Sequence, residues 1–236
     1  TNWAKAAYPA KKYMLVVWNH GSGWDKNGRQ RITKGISYDD ETGNHITTPQ
    51  LGLALKEIGK IDVYGADACL MQMPEVIYEI KDNVSYVVSS EETEPGDGYT
   101  YNDMLGPLVA KPTMDAEEMG KLAVDAYSNH YAALGEGYTQ SLVKVAAMEQ
   151  FLPLMNDFAD AMVAAGEKLL VKKAISGSQN YAVSDNHDIA HFAELMAAST
   201  QNPAVKAKAE AVGSYIVNSL VAHNRADASN YGDSHG

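Results

Sequence analysis

IDVYGADACLM, residues 61–71, holds the only cysteine of the 236-residue chain, and its reading decides the fold. The stretch IDVYGADA is short and almost wholly apolar, the pattern of a β-strand covered on both faces rather than on one. Cys69 stands where that run ends, two residues after Asp67 and just before a second apolar segment. A free cysteine is often a small packing hydrophobe. One held beyond the end of a buried strand is placed for chemistry, and the neighbouring segments decide between the two.

Outward from this strand the same pattern repeats. YMLVVWNH (13–20) is an apolar run ending in His20, and SYVVSS (85–90) is another that enters the acidic, glycine-rich EETEPGDGY. Between the first two strands, WDKNGRQRITKG is polar loop, and ISYDDETGNHIT (36–47) reads as a small hairpin. Thr48-Pro49 opens a helix, with Leu51, Leu55 and Ile58 on one face. Pro74 begins a second helix, and a third is expected over 114–134. LVKVAAM (142–148) reads as a fourth strand, and helices are expected near 149–170, 187–199 and 203–223. Strands alternating with helices imply an α/β architecture with a mainly parallel sheet.

In open parallel sheets ligands bind beyond the carboxyl ends of the strands. Three successive strands deliver His20, then Cys69, then Ser90, Glu91 and Asp97 to one such edge. Thiol proteolysis needs a thiolate, a histidine to move protons and backbone donors for the oxyanion. His20 and Cys69 supply the first two, and the N–H groups of Gly21 and Cys69 are the candidate oxyanion hole. In caspases the histidine lies about 50 residues before the cysteine, and here the separation is 49. Asp-Ala-Cys-Leu departs from the caspase cysteine signature.

WNHGSGW, GADACLM and SSEETEPGDGY, in that order, resemble the clostripain family of cysteine peptidases, relatives of caspases, gingipains and legumain. The resemblance runs from YPAKKYMLVVWNHGSGW through HDIAHFAELM to NYGDSHG. It implies a caspase-like α/β/α sandwich, a His20/Cys69 dyad and cleavage after arginine or lysine. Asp67 corresponds to an acidic wall of the specificity pocket, with Asp97 the second candidate. A pocket for a guanidinium independently calls for a carboxylate, and Glu91, Glu92 and Glu94 are also available. The resemblance further implies activation by an internal cut, and the loop after His20 offers Lys26, Arg29, Arg31 and Lys34. Lys34 is the preferred site because Gly35 follows it, with Arg31 second. It also implies secretion or the cell envelope of a bacterium, although this segment carries no signal peptide. Residues 1–236 read as one caspase-like domain that looks excised, without the family's flanking strands. The competing reading is a catalytically silent module of the same fold that binds peptides or a partner protein.

The remaining features bound the function further. A formal net charge of −11 argues against nucleic acid, so peptides or proteins carrying basic residues are the expected partners. No apolar run is long enough to span a membrane, and one cysteine excludes an intrachain disulfide. No cofactor is required by this chemistry. Calcium is a possible activator, through the resemblance and through Asp39-Asp40-Glu41. His187-Asp-Ile-Ala-His191 imitates a zinc-binding helix, but its acid is aspartate and no third ligand is apparent, so no metal site is expected. His45, His130 and His223 have no assigned partner.

Overall fold

The computed structural model describes residues 1–24 and 35–236. In chain order these form α1 (Asn2–Ala7), β1 (Met14–Trp18), β2 (Gly35–Ile36), β3 (Ile46–Thr47), α2 (Thr48–Ile58), β4 (Ile61–Asp67), α3 (Pro74–Ile80) and β5 (Val84–Ser89). There follow α4 (Tyr101–Ala110), α5 (Ala116–Leu134), β6 (Thr139–Lys144), α6 (Met148–Ala165), α7 (Lys168–Gly177), α8 (Ile189–Ser199), α9 (Pro203–Tyr215) and β7 (Val221–Ala226).

The five-stranded sheet has the order β1-β4-β5-β6-β7. β1, β4 and β5 pair parallel, while β6 is antiparallel to both neighbours, so four of the five strands point the same way. Alternate side chains of one strand enter opposite layers, as the pleat requires. Tyr64 and Ala66 of β4 join a core with α2, α3, α6, α8 and α9, whereas Val63 joins Met104 of α4 and the apolar face of α5. The result is the expected α/β/α sandwich, and the continuous apolar character of β4 follows from burial on both faces.

Several expected boundaries move. Thr47, not Thr48, is the N-cap of α2: its side chain accepts from the Gln50 N–H while Gln50 reaches back, and Thr48 is buried in the first turn. The helix expected to 223 stops at Tyr215. A π-helical turn over Ile216–Leu220 follows, and then the edge strand β7. The helix expected over 149–170 is two, because Gly166 ends α6 in the left-handed conformation (φ 67°) before α7 starts. The strand expected at 142 begins three residues earlier, and its later part, Val145–Ala147, is a 3₁₀ turn. α4 lies over residues to which the sequence reading assigns no element, with Pro107 inside it. The hairpin over 36–47 is present as the short β2–β3 pair.

Candidate active site

The register of the sheet sets the two reactive residues side by side. Trp18 at the end of β1 pairs with Asp67 at the end of β4. His20 and Cys69 therefore each lie two residues past an aligned pair, at the carboxyl edge of the sheet. The backbone departs from ordinary conformations next to both. Asn19, before His20, has φ 153°, and Leu70, after Cys69, has φ 61°. Neither is glycine, and each such residue costs about 1–3 kcal/mol unless its surroundings enforce it. Leu70 is held by its N–H to the Glu92 carbonyl (3.1 Å), and Asn19 by its N–H to the Asp67 carbonyl (3.3 Å).

His20, Asp67, Cys69 and Glu94 line one cavity of about 230 Å³, closed by Trp18, Asn19 and the Pro95–Gly98 turn. His20 is exposed at its mouth. The thiol of Cys69 is partly buried and turned toward the backbone of Glu94, whose N–H donates to Sγ (3.3 Å). The Glu94 carbonyl lies 3.9 Å from the same sulfur. Burial pushes the thiol above its usual range, and the Glu94 N–H pulls against that shift. Among the described residues the imidazole makes no hydrogen bond to the thiol. The thiol thus rests against the Glu94 backbone rather than on the imidazole.

Gly21 packs directly on the Cys69 backbone. A Cβ at this position would overlap the Cys69 carbonyl oxygen and stand 3.0 Å from Ala68 Cβ and 3.1 Å from Met71 Cγ. Close approach between the two reactive segments, more than room for a substrate, demands glycine here. Gly21 forms a bridge to Ile36 in which the flanking residues exchange the hydrogen bonds, Ser22 N–H to Gly35 O and Ser37 N–H to His20 O, both 3.0 Å. Among the described residues the Gly21 N–H donates to no backbone carbonyl, and the Cys69 N–H lies against its own thiol.

The five acidic candidates separate cleanly. Asp67 is buried; its Oδ1 accepts the Tyr99 N–H (3.0 Å) and its Oδ2 the Tyr101 hydroxyl (2.7 Å). Burial raises its pKa, and these donors oppose the rise. Gly98, at φ 65°, lies so close that a Cβ would be 2.5 Å from Asp67 Oδ1. Glu94 also faces the cavity, with Oε1 held by Gln140 Nε2 (3.1 Å). Burial first and the Asp67 charge second push it well above the carboxylate range. Asp97 is exposed and does not line the cavity, although Gly96 and Gly98 on either side do. Glu91 and Glu92 point elsewhere. Both oxygens of Glu92 accept the Ala182 N–H (3.1 and 3.0 Å), and Glu91 accepts the Gly236 N–H (3.2 Å). Glu92 fastens the loop after β5 to the segment between α7 and α8, and Glu91 fastens it to Gly236. Tyr99, Tyr101 and Gln140, which support the acids, carry no signal in the sequence that would have singled them out.

Elsewhere the histidines are engaged locally. His187 precedes α8, whose N-cap is Asp188, so it and His191 do not share a helix face. His187 Nδ1 lies 3.0 Å from Ser178 Oγ, and His191 Nδ1 accepts the Gln179 N–H (3.0 Å). His223 Nε2 is 2.8 Å from Asp125, and His45 stacks on Tyr38. Asp39 is spent on its own turn, accepting the Glu41 N–H (3.0 Å) and the Thr42 hydroxyl. Among the described residues no three His, Cys, Asp or Glu side chains cluster as metal ligands. Lys34, Arg31, Arg29 and Lys26 lie outside the described residues.

A family model described as the clostripain family matches residues 1–232. Clostripain from Hathewaya histolytica is 26% identical over 120 residues, covering 46% of this chain and 23% of that protein. Among solved structures, a secreted cysteine protease from Bacteroides thetaiotaomicron bound to an irreversible peptide inhibitor superposes with a TM-score of 0.69 at 21% identity. The match covers 95% of this chain and 60% of the other. An inactive zymogen protease from Parabacteroides distasonis gives 0.68 at 20% identity, covering 95% and 58%. At these identities the structures speak for the fold. The chain spans less than two thirds of the length of these relatives.

Proposed function

The chain belongs to the clostripain family, and from that premise we propose that it is a cysteine endopeptidase cutting after arginine or lysine. The observation that carries the reading is the shared cavity, which brings a thiol, an imidazole and a buried carboxylate together at the sheet edge. In this reading His20 takes the Cys69 proton as a substrate carbonyl approaches. The thiolate attacks, the oxyanion lies between the N–H groups of Gly21 and Cys69, and His20 then protonates the leaving amine. Asp67 pairs with the basic side chain before the cut. Its closeness to Cys69, two residues away, fits a side chain entering beside the bond to be broken.

The test is turnover of fluorogenic peptides that differ only in the residue before the cut, with Cys69→Ala as control. Turnover after arginine or lysine alone supports the reading. An inert chain that still binds such peptides would establish the silent module instead.

Self-processing at Lys34–Gly35 belongs to the same proposal and rests on the sequence and the family. The ends of the intervening segment are already joined, since Ser22 donates to Gly35 and Gly21 bridges Ile36. A cut there would leave both halves in one sheet through the β1–β4 pairing. Mass spectrometry of protein incubated after purification, beside Cys69→Ala, checks it. Among the described residues no helix is long and apolar enough to cross a membrane, which accords with a secreted protein, as one structural relative is described. A role for calcium is checked by turnover with and without a chelator.

A further inference from the structure

Asp67 alone is a half-spent acceptor. Each of its oxygens already takes a hydrogen bond, from the Tyr99 N–H and from the Tyr101 hydroxyl. A guanidinium presents two parallel N–H groups and is best met by free carboxylate oxygens. Glu94 has one. Its Oε1 is fixed by Gln140, whereas its Oε2 is buried without a hydrogen bond, the carboxyl lying against Asp67 and near the Ala68 N–H. Glu94 lines the same cavity as Asp67, His20 and Cys69, and its carboxyl interacts with that of Asp67. Two carboxyls held together in a buried site resist carrying two full charges, which favours a proton on Glu94 while no cation pairs with them.

We propose that Glu94 is a specificity-determining residue: its carboxyl, with Asp67, forms a two-carboxyl receptor for one basic side chain, and gives up its proton to solvent when that cation enters. The inference rests on the reading of this chain as a peptidase for basic residues and names the second acid of its pocket. The entering cation supplies the charge that the Glu94 proton supplied before, so both carboxylates ionise around it. An uncharged side chain of the same shape leaves the proton in place and gains only Asp67. The backbone of Glu94 meanwhile holds the Cys69 sulfur. One residue thus touches both the specificity pocket and the nucleophile, which fixes the distance between a bound cation and the thiol.

The variant that separates this role from simple packing is Glu94→Gln. Its amide can donate to Asp67 and fill the same space, reproducing the protonated pair, but it cannot become an anion. The experiment compares kcat/KM for two peptides that differ only in arginine against citrulline before the cut. Wild type is expected to favour arginine strongly, and Glu94→Gln to lose about tenfold or more of that preference, read as the arginine-to-citrulline ratio within each protein. Glu94→Asp, which keeps the charge, should recover part of the loss. Independently of turnover, agmatine binding to Cys69→Ala protein should weaken about tenfold when Glu94→Gln is added. Arginine preference and agmatine affinity that are unchanged in Glu94→Gln would overturn the role of Glu94 and leave the peptidase reading standing. Equal use of arginine and citrulline by wild type would overturn both.

Discussion

Gly21→Ala tests the placement of the two reactive segments most directly. The added methyl would overlap the Cys69 carbonyl oxygen, with Ala68 Cβ at 3.0 Å and Met71 Cγ at 3.1 Å. The obstruction is backbone, which cannot rotate aside as the end of a side chain could. A carbon settles against a carbonyl oxygen at about 3.3 Å, so the His20–Gly21 and Cys69 segments must part by on the order of 1 Å. A displacement of about that size in a reacting pair costs roughly a hundredfold in rate. Overpacking of this kind destabilises by about 1–3 kcal/mol, which for a chain of this length lowers the melting temperature by roughly 2–12 °C. The assay is kcat/KM on an arginyl peptide beside thermal unfolding followed by circular dichroism. A folded variant with rate down about a hundredfold is the expected result. Full activity with an unmoved melting temperature would refute the close packing of these segments. It would also remove the structural reason for glycine after the histidine.

Three further outcomes follow from the same geometry. Cys69→Ala and His20→Ala should each abolish peptide cleavage with little loss of stability, because one is part-buried at a turn and the other exposed; wild-type turnover in either would end the dyad assignment. Asp67→Asn should cost about 3–5 kcal/mol of transition-state pairing, hundreds-fold in rate after arginine. Asp97→Asn, exposed and outside the cavity, should cost far less, and the reverse ranking would move the pocket outward. His235 is raised to about 9, first by its hydrogen bond to Asp188, above about 6.5 in the unfolded chain. Its stabilisation is therefore complete below pH ~6.5 and lost as pH rises toward about 9. The gap in melting temperature between wild type and His235→Gln should close across that window, and a constant gap would contradict the contact.

The strands that carry His20 and Cys69 were legible because their burial is simple. β1, β4 and β5 are apolar runs, and the polar residue that ends each is a visible interruption. The β6 and β7 half of the sheet hides for the opposite reason. Thr139, Gln140 and Ser141 are almost fully buried yet polar, so no apolar pattern marks the start of β6. They are buried because they serve hydrogen bonds that only the fold assembles: Thr139 to Ser90, Gln140 to Glu94 and Ser141 to Gln72. In β7 the half-buried VAHNRA places His223 and Arg225 on Asp125 of α5. Its polar half is paired with a helix almost a hundred residues away, and it follows α9 with only a π-helical turn between.

The acids show the same limit on a smaller scale. Composition offers Asp67, Glu91, Glu92, Glu94 and Asp97 as near equals within one short region and its neighbouring strand. What distinguishes them is the direction each side chain takes, which depends on partners at Ala182, Gly236, Tyr101 and Gln140. Glu91 and Glu92 are drawn off by backbone N–H groups distant in sequence, at Gly236 and Ala182. Only Glu94 is left with a buried, unclaimed oxygen beside Asp67. Holding two carboxyls against each other in a buried site is unfavourable, because both cannot be charged there. A cation in the pocket offsets it, so the least satisfied acid of the five is the one best suited to meet the substrate.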